Sequence, residues 1–487
     1  MTSSDSPVDV RLATQKRGRG LFSQRAFHTG ECILRERALV SGQFVANVRL
    51  VGAACAHCMR TFEMAETSLV RYLDNPGRAH AAGALPLPQR DRFGASASCA
   101  PLPCQHACDK SVVYCSTECR DEAWAQYHKH LCLAGDSSGA LRELTALCTA
   151  RDELSDDAVF NPLWPLLIAR MLAMERVVAE DEPDDVGAAF CHYCGQSAAE
   201  SGQLLRCGAC MSAYYCSEIC RKCDWRYHRP CSKETPSTRG RPPRLRVFGR
   251  FAHAAPGEFE ALQPLHGVEC GPTGDDAFLN APLQCHFETG VPELGGSARI
   301  AMWRAQLDLL RKSSLYTPSL DSLFTLPVYV RLWNVLTVNA TGVSPQSLFL
   351  SYFFDIVRKA REDISSVRQL VQDLKPITSQ LEKHRARVES ACGAGLFPLQ
   401  SVINHSCVPN VTFAYNQIDA TVDVVALEPI AANLELFANY LSPLAQQCDT
   451  RTRRRILATQ YLFKCECALC RLDDAADEGK HQNAKKQ

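Results

Sequence analysis

The spacing of apolar positions along this chain predicts both helices and strands. Apolar residues recur with helical spacing over 161–173, 299–312 and 347–390, which predicts helical stretches there. The charged face of the last stretch is typical of a solvated amphipathic helix. Short apolar runs bounded by turn residues predict strands instead. These runs lie at 17–22, 31–36, 38–40, 411–415, 421–425 and 434–440.

Segments without a clear period separate these elements. The first ten residues are mainly polar, and we expect them to be loose. Residues 73–103 are rich in Ala, Pro, Gly and Arg and predict an inserted loop. The acidic residues 180–185 and the basic, Pro-rich residues 238–246 predict linkers. The polar tail after residue 471 is typical of a disordered segment.

Composition narrows the class of protein without identifying it. The chain has 487 residues, of which 46% are hydrophobic and 22% charged, as in a globular protein of several modules. Its 53 Lys and Arg residues equal its 53 Asp and Glu residues, so charge gives no support for a nucleic-acid or membrane partner. With no run of eighteen apolar residues and no charged and apolar leader, we expect neither a membrane span nor a signal peptide.

The 26 cysteines are the compositional outlier. In a secreted protein they would indicate disulfides, and in a reducing compartment they indicate metal binding. Most of them fall in pairs two to four residues apart, and the later members of each cluster lie beside a histidine. Thiolates at this spacing can hold one tetrahedral zinc ion from a short turn. The spacing therefore favours zinc, and with it a location in the nucleus and cytoplasm.

Two Cys-rich segments form an internal repeat. Residues 114–120 and 215–221 agree at five of seven positions, and each is followed by a Trp, a Tyr-His pair and a Cys. Seven cysteines and one histidine in each repeat provide ligands for two zinc ions. Cys99 and Cys223 are competing ligands, because they lie beside the irregularly spaced positions. The candidate ligands are Cys55, Cys58, Cys104, Cys108, Cys115, Cys119, His128 and Cys132, then Cys191, Cys194, Cys207, Cys210, Cys216, Cys220, His228 and Cys231.

Four further segments occur in a fixed order along the chain. They are the glycine turn Gly18-Arg-Gly20, the segment Asn404-His-Ser-Cys-Val-Pro-Asn410, the strand ending at Tyr440, and Cys465-Glu-Cys-Ala-Leu-Cys470 after an aromatic pair. Together with the repeated finger they resemble the SET- and MYND-domain family of protein-lysine methyltransferases. The resemblance is strongest to the fifth animal member, which shares Leu21-Phe22 and Gly395–Ser401. A motif gains weight from such a context.

The resemblance implies an α+β fold, in which a SET domain of small β-sheets is split by MYND zinc-finger and helical insertions. It also implies a zinc-binding post-SET segment. The expected parts are the N-terminal part of the SET domain at 12–54, a first MYND-type finger at 55–132, a helical segment and linker at 133–190, a second MYND-type finger at 191–231, a connector and helical SET insertion at 232–390, the SET catalytic core at 391–445, the post-SET segment at 446–471 and a disordered tail at 472–487.

The resemblance also implies how the zinc ligands are shared. In each finger the first and third cysteine pairs would hold one ion, and the second pair would hold the other with the histidine and the last cysteine. Cys465, Cys467 and Cys470 give only three ligands, whereas a closed structural site has four. In this family the cysteine at the position of Cys407 supplies the fourth.

By the same resemblance, the chain would bind S-adenosylmethionine and methylate lysine in histones or other basic proteins, such as ribosomal ones. Methyl transfer is a positioning task that needs a neutral amine in line with a sulfonium methyl. Tyr440 and Phe463 are the expected catalytic residues. The expected cofactor-binding residues are Gly18, Arg19, Gly20, Asn339, Asn404, His405, Tyr440 and Phe463. Asn433 stands where this family has glycine, and asparagine tolerates a left-handed turn.

Two other readings remain open. The chain could be a non-catalytic adaptor that recruits peptide partners through its MYND fingers on a SET scaffold, although an adaptor would not need the cofactor residues. The fingers themselves could serve stability alone, because structural zinc supplies folding free energy. Direct DNA binding has little support, because the basic residues of the fingers are scattered and lack a recognition-helix pattern.

Overall fold

The computed structural model describes most of the chain outside the second finger and its flanks. The described residues are 6–14, 18–45, 47–48, 52–72, 87–89, 92–93, 100–152, 161–181, 204–206, 214–215, 218, 221, 296–345, 347–383, 392–416, 418–461 and 463–475. Helices and strands are mixed along it, consistent with the predicted α+β class.

The strands pair into several small sheets rather than one large sheet. They are β1 (Val8–Thr14), β2 (Gly18–Ser23), β3 (Cys32–Arg37), β4 (Val40–Gln43), β5 (Leu102–Pro103), β6 (Val113–Tyr114), β7 (Leu205–Arg206), β8 (Tyr214–Tyr215), β9 (Thr341–Val343), β10 (Gly393–Leu396), β11 (Asn404–His405), β12 (Val411–Tyr415), β13 (Thr421–Ala426) and β14 (Phe437–Ala438).

The helices belong mainly to the insertions. They are α1 (Ala65–Tyr72), α2 (Thr117–Ala123), α3 (Lys129–Leu131), α4 (Ala140–Asp152), α5 (Leu163–Asp181), α6 (Gly296–Lys312), α7 (Leu326–Asn339), α8 (Leu348–Glu362), α9 (Arg368–Lys383), α10 (Pro443–Gln446) and α11 (Thr450–Tyr461). A π-helical turn, Trp124–His128, joins α2 to α3. No helix among the described residues is long and apolar enough to cross a membrane.

The N-terminus departs from the sequence prediction. We expected loose residues there, but β1 begins at Val8 and pairs antiparallel with β2 from Val8 opposite Ser23. Val8 is buried, and Val10 packs against the same apolar cluster. The alternation of these two residues with polar neighbours is a strand pattern that the overall polarity of the segment concealed.

Two three-stranded sheets connect the beginning of the chain to its end. In one, β13 lies between β12 and β3, and in the other β10 lies between β4 and β9. The predicted strand at 411–415 is confirmed residue for residue, and the one at 421–425 is one residue longer. In the predicted strand 434–440, only β14 pairs as a strand, because Glu435 forms an isolated bridge to Phe22 instead.

The helix predicted at 161–173 is present but longer, since α5 continues to Asp181. It begins where the Asn161 side chain accepts a hydrogen bond from the Leu163 amide at 3.0 Å. The predicted linker therefore starts too early. Glu180 holds the end of the helix through Arg176 at 3.0 Å and Lys129 at 3.1 Å.

The helix predicted at 299–312 is confirmed by α6, whereas the stretch 347–390 is divided. Helix α8 ends at Glu362, and Asp363 begins a 3-10 turn by accepting a hydrogen bond from the Ser365 amide. Helix α9 then packs Leu370 and Leu374 into a cluster with Phe349 of α8. Residues 384–390 lie outside the described residues.

The predicted disordered tail also begins too early. Residues 468–475 are helical, because Asp473 pairs with Arg453 at 3.2 Å and Asp474 pairs with Arg454 at 2.6 Å. The rest of the tail, 476–487, lies outside the described residues.

Candidate functional site

The first finger brings together the first predicted set of four thiols. Cys55, Cys58, Cys115 and Cys119 place their sulfur atoms within 4.8 Å of one another. The Cys58 and Cys115 sulfurs are 3.6 Å apart, and those of Cys115 and Cys119 are 3.4 Å apart. Ser116 orients this turn, because its side chain caps α2 by accepting a hydrogen bond from the Cys119 amide. Four thiols at this separation suit one tetrahedral zinc ion.

The second predicted set in this finger also converges. Cys104, Cys108, His128 and Cys132 lie within 4.8 Å of one another. The His128 Nε2 atom is 3.1 Å from the Cys104 sulfur, and the π-helical turn carries this ring toward it. Burial lowers the pKa of His128 to about 4, so its imidazole is neutral at physiological pH. Zinc requires this form of histidine. Cys99, the competing ligand, lies outside the described residues.

The ligands of the second repeat lie outside the described residues. They are Cys191, Cys194, Cys207, Cys210, Cys216, Cys220, His228 and Cys231. The short ladder within this repeat, however, matches that of the first. Leu102 pairs with Tyr114 in β5 and β6, and Leu205 pairs with Tyr215 in β7 and β8. Both tyrosines are fully buried, at the position just before the aligned Cys of each repeat.

A third cluster joins two distant parts of the chain. Cys407, Cys465, Cys467 and Cys470 place their sulfurs within 4.8 Å of one another. The sulfur of Cys407 is 3.7 Å from that of Cys470 and 4.0 Å from that of Cys465. Cys407 lies two residues after His405, so this cluster adjoins the segment that contains Asn404.

The segment around Asn404 crosses the segment that leads to Tyr440. Strand β11 pairs parallel with β14, with Asn404 opposite Phe437. Asn410 locks the crossing. Its amide nitrogen donates to the Glu435 carbonyl at 2.9 Å, and its side-chain oxygen accepts from the Phe437 amide at 2.7 Å.

Three residues from separate segments meet beside this crossing. Asn404 donates its side-chain N–H to the Glu435 carboxylate at 2.8 Å. A Cβ atom on Gly20 would lie 2.6 Å from the Glu435 Oε1 atom and 3.0 Å from the Asn404 Nδ2 atom. Only glycine allows this close approach of β2. The result is a polar cradle lined by backbone, an amide and a carboxylate, which suits the amino-acid end of S-adenosylmethionine.

Tyr440 lies at the end of this strand with its hydroxyl buried in the protein. It donates to the Ile403 carbonyl at 2.5 Å, and the Tyr440 amide donates to the Nδ1 atom of His405 at 3.0 Å. Burial raises the pKa of Tyr440 above that of a free phenol. Burial, and secondarily the charge of Arg453, lowers the pKa of His405 to about 4. Both side chains are therefore neutral at physiological pH.

Aromatic rings surround these two side chains. The Phe463 ring centroid lies 5.8 Å from that of His405 and 6.3 Å from that of Tyr440. The Tyr461 ring is closer still, at 4.9 Å from Tyr440. The sequence analysis did not assign Tyr461 to the site, although it belongs to the same aromatic segment as Phe463.

Two acidic residues of the site were also missed. Glu435 contacts Asn404, but nothing in the pattern of its strand indicates this partner. Glu36 accepts the backbone amides of Leu399 and Gln400, both at 2.8 Å, and so holds the turn that leads into Asn404. Burial raises its pKa to about 7, in opposition to these two hydrogen bonds.

The remaining predicted residues are placed less directly. Gly18 and Arg19 lie in β2, opposite Thr14 and Leu12 of β1. Asn339 is buried at the end of α7, where its amide nitrogen donates to the Val335 carbonyl at 2.9 Å. Its contact with a cofactor remains a prediction. Asn433 adopts a left-handed conformation at φ 66°, as expected for a residue that replaces glycine.

Comparison with known families agrees with this geometry. A model of the MYND finger matches residues 191–231, and a model of the SET domain matches residues 286–441. The fold and the site thus define a SET-domain protein that carries a MYND finger, a class that uses S-adenosylmethionine and binds zinc.

Relatives with the same pair of domains cover nearly the whole chain. The human protein-lysine N-trimethyltransferase SMYD5 is 25% identical over 471 residues, which are 95% of this chain and 86% of that protein. Its zebrafish (Danio rerio) counterpart is 25% identical over 480 residues, 96% of this chain and 88% of that protein. The Arabidopsis thaliana histone-lysine N-methyltransferase ASHR1 is 28% identical over 202 residues, 36% of this chain and 41% of that protein. The chain belongs to the SET- and MYND-domain family of protein-lysine methyltransferases.

Proposed function

We propose that this protein is a SET-type lysine N-methyltransferase that uses S-adenosylmethionine to modify histones or other basic proteins, such as ribosomal ones. The observation that supports it most is the buried pairing of Tyr440 with the Ile403 carbonyl beside Asn404 and Gly20. An adaptor with no enzymatic role would have no use for this arrangement.

The cofactor supplies a methyl group on a positively charged sulfur. In this chain the cradle of Gly20, Asn404 and Glu435 would hold its amino-acid end, and the carboxylate of Glu435 suits the ammonium group there. The His405 backbone and the Phe463 ring would contact the adenosine part. Asn339, Gly18 and Arg19 are further candidates for the same role.

The chain's own residues then have to present a neutral lysine amine. Tyr440 keeps its proton, because burial raises the pKa of its phenol, so it serves as a hydrogen-bond partner and not as a base. The rings of Tyr440, Tyr461 and Phe463 form an apolar wall that would exclude water from the amine. Positioning of this kind can supply much of the acceleration that a transfer reaction needs.

The third cysteine cluster would act as a post-SET zinc segment. Cys407 comes from the cofactor side, and the other three cysteines follow directly after Phe463. A zinc ion held by all four would tie the Phe463 segment over the site, which is a structural use of zinc.

The two fingers would recruit protein partners, most simply through peptides, while the SET domain modifies them. The rival function is that of a non-catalytic adaptor built from the same parts. Location in the nucleus and cytoplasm follows from the reduced cysteines that zinc binding requires.

Tyr440→Phe tests the proposed activity. The variant should bind S-adenosylmethionine nearly as well as wild type, because the ring remains, but should lose about a hundredfold in transfer rate, as expected when one positioned hydrogen-bonding group is removed. The measurement uses labelled S-adenosylmethionine with a nuclear and ribosomal extract, and then the purified labelled protein.

Tyr316→Phe is the matched control, since Tyr316 pairs with Asp321 away from this site. Its rate should equal that of wild type. A wild-type rate in Tyr440→Phe would remove Tyr440 from catalysis, and no labelled protein in any extract with wild-type enzyme would favour the adaptor.

A further inference from the structure

Arg453 is a buried arginine at the third cysteine cluster, and the mechanism above does not use it. It lies on α11 and is only 6% exposed. Arginine remains charged in proteins, so its burial is unfavourable unless opposite charge or hydrogen-bond acceptors surround it. What surrounds Arg453 therefore indicates its role.

One face of its guanidinium group points to the cluster. The Nη2 atom of Arg453 lies 3.8 Å from the Cys470 sulfur. The other contacts fix the group in place: Nη1 donates to the Cys448 carbonyl at 2.6 Å, and Nη2 donates to the Thr450 hydroxyl at 2.7 Å. Asp473 is its acidic partner at 3.2 Å, but 43% of that side chain is exposed, so solvent screens this pair.

The neighbouring arginine has a different set of contacts. Arg454 donates to the backbone carbonyl of Cys465 at 2.9 Å and pairs with Asp474 at the surface. It supports the path of the loop, whereas Arg453 faces a sulfur. The two arginines therefore divide the task between backbone and ligand atoms.

Electrostatics gives the contact with sulfur its meaning. Four thiolates carry more negative charge than one Zn²⁺ ion neutralises, so a zinc complex of this cluster is a buried anion. A fixed positive charge in contact with one of its sulfurs offsets the cost of burying that anion. Residues outside the ligand set commonly tune a metal site in this way.

The cluster is also connected to Tyr440. The Cys407 sulfur lies 3.5 Å from the Nε2 atom of His405, whose Nδ1 atom accepts the Tyr440 amide. Since Nδ1 accepts, the imidazole proton is on Nε2 and faces the sulfur. Whatever holds the cluster together thus also holds the imidazole that positions Tyr440.

We propose that Arg453 is a positioning residue of this zinc site, whose buried positive charge stabilises the four-thiolate complex and thereby keeps zinc bound next to His405 and Tyr440. The proposal rests on the proposed function in one respect, that the third cluster holds zinc.

The test measures zinc release from the full-length protein to a chromogenic chelator, 4-(2-pyridylazo)resorcinol. Cys465→Ser first identifies the ion of this site, because its release is the part of the time course that this variant lacks. Arg453→Met should release that ion about ten- to a hundredfold faster than wild type, the range typical of residues outside the ligand set. The other release phases should be unchanged.

Arg453→Lys is the informative partner variant, since it keeps the charge and loses the planar group, and its release rate should remain close to that of wild type. Arg451→Met is the matched control, because Arg451 is exposed on the same helix. If Arg453→Met does not fold, Arg453→Gln gives the same neutral comparison.

Equal release from wild type and both neutral variants would overturn the proposal. So would release from Arg453→Lys as fast as from Arg453→Met, because packing and not charge would then be responsible. An equal zinc content in wild type and Cys465→Ser is a distinct result: it would show that the cluster holds no zinc and would remove the basis of the site itself.

Discussion

At the scale of the residue, the site depends on one amide with a defined orientation. Asn404 directs its N–H toward the Glu435 carboxylate, which leaves its oxygen to face a ligand. The same geometry explains why β2 has glycine at position 20, since any larger residue would displace one of the two side chains.

Asn404→Ala should weaken the binding of S-adenosylmethionine about tenfold, because the loss of one hydrogen bond to a charged group costs roughly 1.5–3 kcal/mol. Isothermal titration calorimetry would measure it. The ligand 5′-methylthioadenosine, which lacks the amino-acid end, is the control and should lose little affinity. An unchanged affinity for S-adenosylmethionine would move the amino-acid end away from Asn404.

At the scale of the element, the small sheets depend on close backbone contact. Gly393 on β10 faces β4, and a Cβ atom there would lie 2.0 Å from the Gly42 carbonyl oxygen and 2.8 Å from the Gln43 Cα. These are backbone atoms of the paired strand, so they cannot move aside without disrupting the ladder.

Gly393→Ala should therefore destabilise the protein by about 1–3 kcal/mol or more, the usual range for forced overpacking. Gly342→Ala on the adjacent strand β9 is the matched control, because nothing lies within 4 Å of its added Cβ. Chemical denaturation of the two variants would compare them. Equal midpoints would mean that β10 does not pack this closely against β4.

The elements also show which predictions a sequence supports. The strand at 411–415 was predicted without error because its apolar residues alternate on one buried face. The strand at 434–440 was overpredicted, since Asn410 and Phe22 occupy hydrogen-bonding groups that a longer ladder would have used. Such partners come from distant segments, and no local pattern indicates them.

At the scale of the molecule, zinc content tests the whole assignment. Eighteen cysteines and two histidines are candidate ligands, so protein purified without added zinc should contain about five zinc ions, at four ligands per site. Atomic absorption would measure this, and Cys465→Ser should contain about four. A value near three would mean that the irregular second site of each finger is empty, and a value near one would contradict the double finger.

The second finger should be separable from the catalytic part. Its cysteines provide ligands for two zinc ions, which can supply folding free energy that a segment of ~40 residues otherwise lacks. Deletion of 188–234 with a short flexible bridge should keep cofactor binding and basal transfer to a small peptide. It should lower affinity for full-length substrate, as measured by pull-down and calorimetry.

A soluble deletion protein that no longer binds cofactor would contradict this separation, as would an insoluble one whose first finger retains its zinc. Either result would make the second finger a structural part of the core.

The candidate site was predicted more fully than the fold, because metal ligands and the Asn404-His405 segment are defined by residue type and spacing. Thiolates at a fixed spacing have few structural uses other than metal binding, so their chemistry is visible without coordinates. Glu435, Glu36 and Arg453 were not predicted, since an acidic or basic residue in a sequence does not reveal whether it is buried.

The sequence by itself determined the chemistry of this protein: which atoms can hold zinc, which segment resembles a cofactor site, and where the principal helices and strands lie. Only the tertiary structure decided which of these atoms meet. Cys407 joins Cys465, Cys467 and Cys470 across more than fifty residues, and Gly20 reaches Asn404 across nearly four hundred. Such contacts depend on the packing of whole elements, whereas ligand type and periodicity are local properties of the chain.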